Sequence, residues 1–210
     1  GTAADNLNGM RVAGTVDASG GETGNGGQVD ISAGRLLLES ASIDAGGRSG
    51  GQVSTSAHRM VVDAGSNVGA GGSGQAGTTD GRWTIASDQD ITISSNPAYT
   101  QGATTPTGPV NGGSTVDAGV LGRTLDRTTS VTLESNATRT AFDAVNGYSE
   151  GAGVIFDTGA QVTKTAGRDV DFVVNSARNI GMATGSALRS SRGAIDVDFN
   201  ADAKGAPLPD

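Results

Sequence analysis

Short runs of alternating apolar and polar residues recur along this chain, each bounded by glycine. Met10 to Ser19 alternates as a half-buried strand does. Val29 to Ala33, Leu36 to Ala45, Val53 to Ser56 and Arg59 to Ala64 continue the series, with glycine-rich turns at Gly20–Gly27 and Gly46–Gly51. Two phrases come round again within it. Gly26-Gly27-Gln28-Val29 returns 24 residues later as Gly50-Gly51-Gln52-Val53, and Gly81-Arg82-Trp83 is a third version. Val16-Asp17-Ala18 is matched by Ile43-Asp44-Ala45, Val62-Asp63-Ala64 and Val116-Asp117-Ala118. Repeats of this length mark stacked architectures, in which a unit buries its apolar side only against its neighbours.

The alternation stops at Asn96. Residues 96–113 hold Pro97, Pro106 and Pro109 among glycine and threonine, so they cannot lie inside a ladder. Ser114 followed by Asp117 reads as a helix cap, and Val116, Val120, Leu121 and Leu125 share one helical side, which predicts a helix over about 116–126. Gly119 and Gly122 weaken it by roughly 1 kcal/mol each. Strand patterning resumes with Val131–Ser135, Val154–Asp157 and Gln161–Thr165. Asp169-Val170-Asp171-Phe172 and Asp196-Val197-Asp198-Phe199 lie 27 residues apart, and their overlay points Val170, Phe172, Val197 and Phe199 inward and the aspartates outward.

The expected fold is all-β: a right-handed parallel β-helix (a β-solenoid) with an extra-helical loop and short helix around 96–130. Residues 1–95 are its first coils, 96–130 the excursion and 131–205 further coils. Together they read as one continuous β-helical domain, a fragment of a longer chain.

Composition supports a narrow core. There are 35 glycines and few aromatics (4 Phe, 2 Tyr, 1 Trp), without the every-third-residue glycine of collagen. A net charge of −8 repels phosphate backbones, which argues against nucleic-acid partners. No apolar run is long enough to span a bilayer, so membrane insertion is not expected, and Gly1–Asp5 has no signal-peptide pattern. Cysteine is absent, which removes thiol chemistry and disulfides.

The candidate chemistry is sparse. Asp169, Asp171, Asp196 and Asp198 could form a two-layer carboxylate patch, and Ca²⁺ would relieve repulsion within it; solvent screening is the plainer alternative. Asp88 and Asp90, or the Asp169–Asp198 group, could supply the two carboxylates of a glycosidase. Single His58 has no Ser-His-Asp context in sequence and reads as an outward or turn residue. Trp83 shares a face with Ile85 and reads as a core plug. Gly20–Gly27 and Gly69–Gly77 are turns rather than phosphate loops, since no Lys-Ser/Thr and helix follow. Asn136-Ala137-Thr138 has the N-glycosylation pattern. Loops leaving a rigid scaffold carry function more often than the scaffold does, so the 97–113 excursion is the preferred binding segment, with a packing flap as the alternative. No catalytic, cofactor-binding or metal-ligating residue is assigned, and no cofactor is expected.

Gly14-Thr-Val-Asp-Ala-Ser-Gly-Gly21, Gly26-Gly-Gln-Val-Asp-Ile-Ser-Ala33, Gly81-Arg-Trp-Thr-Ile85 with Ile91-Thr-Ile93, and Ser130-Val-Thr-Leu133 occur in an order that resembles filamentous-haemagglutinin-type exoproteins of bacterial two-partner secretion. The resemblance covers about residues 10–200 and implies a right-handed β-helical stalk. It further implies a Gram-negative, secreted or cell-surface protein with an adhesive, non-enzymatic role in surface or biofilm-matrix attachment. The expected partners are an outer-membrane transporter, met through an upstream domain not in this chain, and a host-surface or matrix glycan or protein. Asn96-Pro97-Ala98 is the nearest approach to the family's N-P-N secretion motif, which places the chain in the stalk downstream of the secretion domain. The alternative is a carbohydrate-cleaving or carbohydrate-binding β-helix.

Overall fold

The computed structural model describes residues 9–97, 113–136 and 152–201. The chain winds as a parallel β-solenoid of about six turns. The first described turn holds β1 (Gly9–Val12) and β2 (Thr15–Asp17); the second holds β3 (Gln28–Leu38) and β4 (Ser42–Asp44). The third holds β5 (Gln52–Val62) and β6 (Asn67–Gly69). The fourth departs from this plan, with β7 (Gly81–Ser87), β8 (Ile91–Ser94), β9 (Ser114–Asp117) and α1 (Ala118–Asp126). Next come β10 (Thr129–Ser135), β11 (Ala152–Phe156) and β12 (Gln161–Lys164), then β13 (Val170–Ser176), β14 (Asn179–Met182) and β15 (Ala187–Ser190). The last described strand is β16 (Ile195–Ala201).

Three faces result. The first stacks the leading half of β3, the leading half of β5, then β7, β10, β13 and β16. The second runs from β1 through the trailing halves of β3 and β5 to β9, β8, β11 and β14. The third carries β2, β4 and β6, and beyond the helix β12 and β15. Every strand pairing among the described residues is parallel; apart from β8 and β9, which pair within the fourth turn, each strand meets its counterpart one turn away.

Alternation explains the core. On the first face one inward column is Val29, Val53, Trp83, Val131, Phe172 and Val197, and the next is Ile31, Thr55, Ile85, Leu133, Val174 and Phe199. The repeated glycine phrase marks the corner entering this face. A Cβ on Gly51 would lie 2.1 Å from the Ala45 carbonyl oxygen, and one on Gly81 1.8 Å from that of Ala70. Backbone stacks directly on backbone there, and only glycine fits.

Several sequence expectations are corrected. The two Asp-Val-Asp-Phe segments do not overlay at 27 residues: Val170 pairs with Ile195, Phe172 with Val197 and Val174 with Phe199. A two-residue slip preserves which side each residue faces, so alternation alone cannot fix register. Val170 and Phe172 are buried as expected, whereas Val197 and Phe199 are exposed, because β16 is the last described layer of the stack. The Val-Asp-Ala phrase marks two different corners. Val16 and Ile43 pair on the third face, while Val62 pairs with Val116 on the second.

The excursion also rejoins earlier than expected. Ser114–Asp117 is a buried strand wedged between β5 and β8, so Ser114 is no helix cap. Its hydroxyl instead accepts the Met60 N–H at 2.9 Å. Asp117 is the N-cap, accepting the Val120 N–H at 3.0 Å, and the helix begins at Ala118 rather than 116. That helix lies within the stack, where it occupies the third-face layer between β6 and β12. The segment 98–112 lies outside the described residues.

Candidate functional site

The outer side of the first face carries a concavity of about 750 Å³ lined largely by polar side chains. The register that points the valines inward points a second column out: Gln28, Gln52, Arg82, Ser130, Asp171 and Asp196. Asp30, Ser54 and Thr84 form the column beside it. The groove is walled by the turn at Thr79–Asp80, where Arg168 donates to Asp80 Oδ1 at 2.7 Å and to the Gly72 carbonyl at 3.1 Å. Amides, hydroxyls, carboxylates and one guanidinium are thus set at layer spacing along an extended floor. Such a surface suits a long polar ligand with many hydroxyls, which it can meet with hydrogen bonds at regular intervals.

The proposed carboxylate patch is dispersed by the true register. Asp171 lies beside Asp196, but Asp198 lies beside Val173. Asp169 accepts the Ala194 N–H at 2.7 Å and so closes a turn. Among the described residues no group of three or more acidic or histidine side chains is placed to hold a metal ion. The four aspartates therefore do not form the two-layer calcium patch.

Asp88 and Asp90 separate in the same way. Asp88 accepts from His58 Nδ1 at 2.8 Å, whereas Asp90 faces the Arg178 guanidinium at 3.7 Å. Two carboxylates engaged by different partners do not converge on one bond as a glycosidase requires. His58 is indeed outward and half-buried, and its acidic partner is 30 residues away in sequence, one turn along. Ser32, Ser56 and Asn136 lie on the same shallow shelf.

Trp83 is fully buried between Val53 and Val131, as a core plug should be. Its indole N–H donates to Thr55 Oγ1 at 3.1 Å. Thr55 is a polar residue in an otherwise apolar column, the kind of break in alternation that can announce a buried polar partner. Asn136 ends its strand by donating its N–H to the Ser87 carbonyl at 2.7 Å, and the Thr138 of its glycosylation pattern lies outside the described residues.

Sequence reasoning missed a column of buried acids at the corner leaving the second face: Glu39, Asp63 and Asp117, which follow Leu38, Val62 and Val116. Glu39 pairs with Arg11. Asp63 accepts the Ser40 N–H at 2.9 Å and the Ser66 hydroxyl at 2.7 Å. Burial pushes the Asp117 carboxyl above its ordinary value, against the opposing pull of the Val120 N–H and Arg123, while Asp63 nearby adds to the rise. Asp117 caps the helix that follows it, and Asp63 ties the Ser66 hydroxyl of its own turn to the Ser40 amide one turn back. Fully buried Lys164 does similar work at another corner, donating to the Ala166 carbonyl and, at 2.6 Å, to that of Arg192 one turn on.

No family model, curated protein or solved structure matched this chain in the comparisons made with known proteins.

Proposed function

We propose that this chain is a structural and adhesive segment of a large secreted bacterial surface protein, non-enzymatic, acting through length and through its polar outer face. The observation that carries this reading is the inward column from Val29 to Val197, which runs unbroken through six strands of the first face. Each inner strand of it, from β5 to β13, shares ladder hydrogen bonds with the layers on either side. A stack held in that way resists bending and presents its outer residues at fixed intervals. The phrases resembling filamentous-haemagglutinin-type exoproteins support the same role: a stalk exported through an outer-membrane transporter recognised elsewhere in the full chain. In this reading the groove meets a glycan or protein of a host surface or biofilm matrix.

Beads coated with the chain test this on a glycan and matrix-protein array. Retention that falls at least tenfold in an Arg82→Ala/Gln52→Ala double variant of unchanged melting temperature is the expected result. Retention equal to that of bare beads counts against the adhesive reading. A second reading, a carbohydrate-cleaving β-helix, draws on the paired Asp171 and Asp196 in the groove. Release of reducing ends from acidic or neutral polysaccharides would favour it.

A further inference from the structure

The groove on the first face carries both signs of charge, and half of its charged side chains are already engaged. Asp80 is held by Arg168, Asp169 by the Ala194 N–H, and Asp30 accepts from Gln28 Nε2 at 2.7 Å. Three charged lining residues remain without a partner among the described residues: Arg82, Asp171 and Asp196. All three are exposed, and the ladder sets them in one outward column in the order Arg82, Ser130, Asp171, Asp196. The free cation thus stands two steps from the first carboxylate and three from the second, about 10 and 14 Å at the backbone.

Such a column does not suit a ligand of one sign. A polyanion that meets Arg82 is repelled at Asp171 and Asp196, and by the net charge of −8. A polycation that meets the two aspartates runs onto Arg82. A ligand carrying both signs at matching distance satisfies all three groups, and every mismatch discriminates against its competitors. The two ends of the column also differ in kind. A planar guanidinium takes a carboxylate through two parallel hydrogen bonds, whereas a pair of carboxylates suits the three donors of a primary ammonium. Asp171 and Asp196 face each other across one ladder step, and a cation between them relieves their repulsion.

Building on the adhesive reading of this groove, we propose that its ligand is a linear polysaccharide bearing both carboxylates and free amines. A carboxylate lies on Arg82 and an ammonium between Asp171 and Asp196. The floor itself favours a sugar chain over a peptide. It is the middle of a sheet whose ladder is complete, so a peptide backbone finds no open strand edge there. The lining holds no aromatic ring, and its two valines, Val53 and Val170, are buried in the core, so side-chain anchors have no seat. Gln52, Ser54 and Thr84 offer hydrogen bonds to hydroxyls instead. An extended sugar chain advances about one layer per ring. Where acid and amine rings alternate, opposite charges stand an odd number of rings apart, as Arg82 and Asp196 do in ladder steps.

Calorimetry with oligosaccharides of equal length tests this on the intact 210-residue chain. De-N-acetylated hyaluronan alternates carboxylate and ammonium, hyaluronan keeps only the carboxylate, chitosan only the ammonium, and a cello-oligosaccharide neither. At about pH 6, where the amines are charged, the first is expected to bind at least about tenfold more tightly than any other. Its affinity should fall at least about tenfold between about 0.05 and 0.5 M NaCl, because charge carries the recognition. Arg82→Ala should bring its affinity down to that of the chitosan probe, and Asp171→Asn/Asp196→Asn down to that of hyaluronan. All three positions are exposed, and unchanged melting temperatures confirm that the variants fold. Equal affinity for the charged probes, preference for a probe of one sign, absence of binding, or an unchanged profile in either variant would overturn the proposal. The coated beads separate this from the adhesive reading. Retention on the array without preference for the mixed-charge probe overturns the ligand class alone, whereas retention equal to bare beads overturns both.

Discussion

The second and third turns differ from the fourth in what holds one layer to the next. Between β3 and β5, ten residue pairs lie in register, and backbone amides and carbonyls do nearly all the joining. In the fourth turn a helix replaces the third-face strand, and a helix spends its backbone hydrogen bonds internally. The edge of β6 must then find donors among side chains. Thr124 Oγ1 donates to the Val68 carbonyl at 3.0 Å, and the Arg123 guanidinium donates to the carbonyls of Ala64 and Ser66 at 2.6 and 3.0 Å. Thr129 Oγ1 accepts the Ala70 N–H at 2.8 Å. A solenoid accommodates a foreign element when that element supplies what the missing ladder would have supplied.

Room is made as well. On the first face only β7 lies between β5 and β10, while on the second face both β9 and β8 lie between β5 and β11. The helix is wider than a strand, and the additional second-face strand lengthens the stack beside it. Glycine allows close approach on either side of α1. A Cβ on Gly122 would come within 2.5 Å of the Thr163 carbonyl oxygen, and one on Gly69 within 2.3 Å of the Arg127 guanidinium, which pairs with Asp44.

The contrast can be broken at several points. Trp83→Ala, at the seam between regular and irregular turns, should cost about 3–5 kcal/mol in urea unfolding through the cavity it leaves. Thr124→Val removes the donor to the Val68 carbonyl without changing shape, and a loss of about 1–3 kcal/mol is expected. Because the regular turns do not depend on this bond, hydrogen exchange should accelerate around β6 and α1 before β3 and β5. Equal acceleration everywhere would contradict the idea that side chains replace the ladder locally.

Asp117→Ala should lose about 1 kcal/mol with the cap. Asp117→Asn behaves differently. Since the folded-state pKa is raised above the unfolded value, the native state binds the proton more tightly, and wild-type stability falls as pH rises through that interval. Asparagine keeps the cap without the buried charge. The Asn variant should therefore be more stable than wild type at neutral pH, with the advantage shrinking as pH falls through that interval and gone by about pH 4. At the small end, Asp171→Asn on the exposed outer face should change stability by no more than about 0.5 kcal/mol.

Much of the regular part was legible in the sequence, and for a physical reason. Gly26-Gly27-Gln28-Val29 and its copy at Gly50 specify a corner and the strand behind it, and both lie where the repeat predicts. Trp83 was legible because alternation put it with Ile85. Register at the tail was not, since a shift of two residues leaves every side chain facing the same way. The His58–Asp88 pair and the donors of α1 join residues about 30 and 56 positions apart, and no local pattern encodes which layers become neighbours once a strand is wedged in. In Ser114–Asp117 a hydroxyl and a carboxylate stand at the spacing of a helix cap, but burial of all four residues between β5 and β8 makes the segment a strand.

The central claim is that the first face is one uninterrupted stack from β3 to β16 despite the helix beside it. The chain has no cysteine, so spin labels can be placed at will by Gln28→Cys and Asp196→Cys. These outward positions share one column and are five ladder steps apart, which gives a backbone separation of about 24 Å. A single narrow distance distribution near that value, measured by pulsed dipolar spectroscopy on dilute protein, is the predicted result. A distribution centred beyond about 40 Å, or one spread without a maximum, would contradict it.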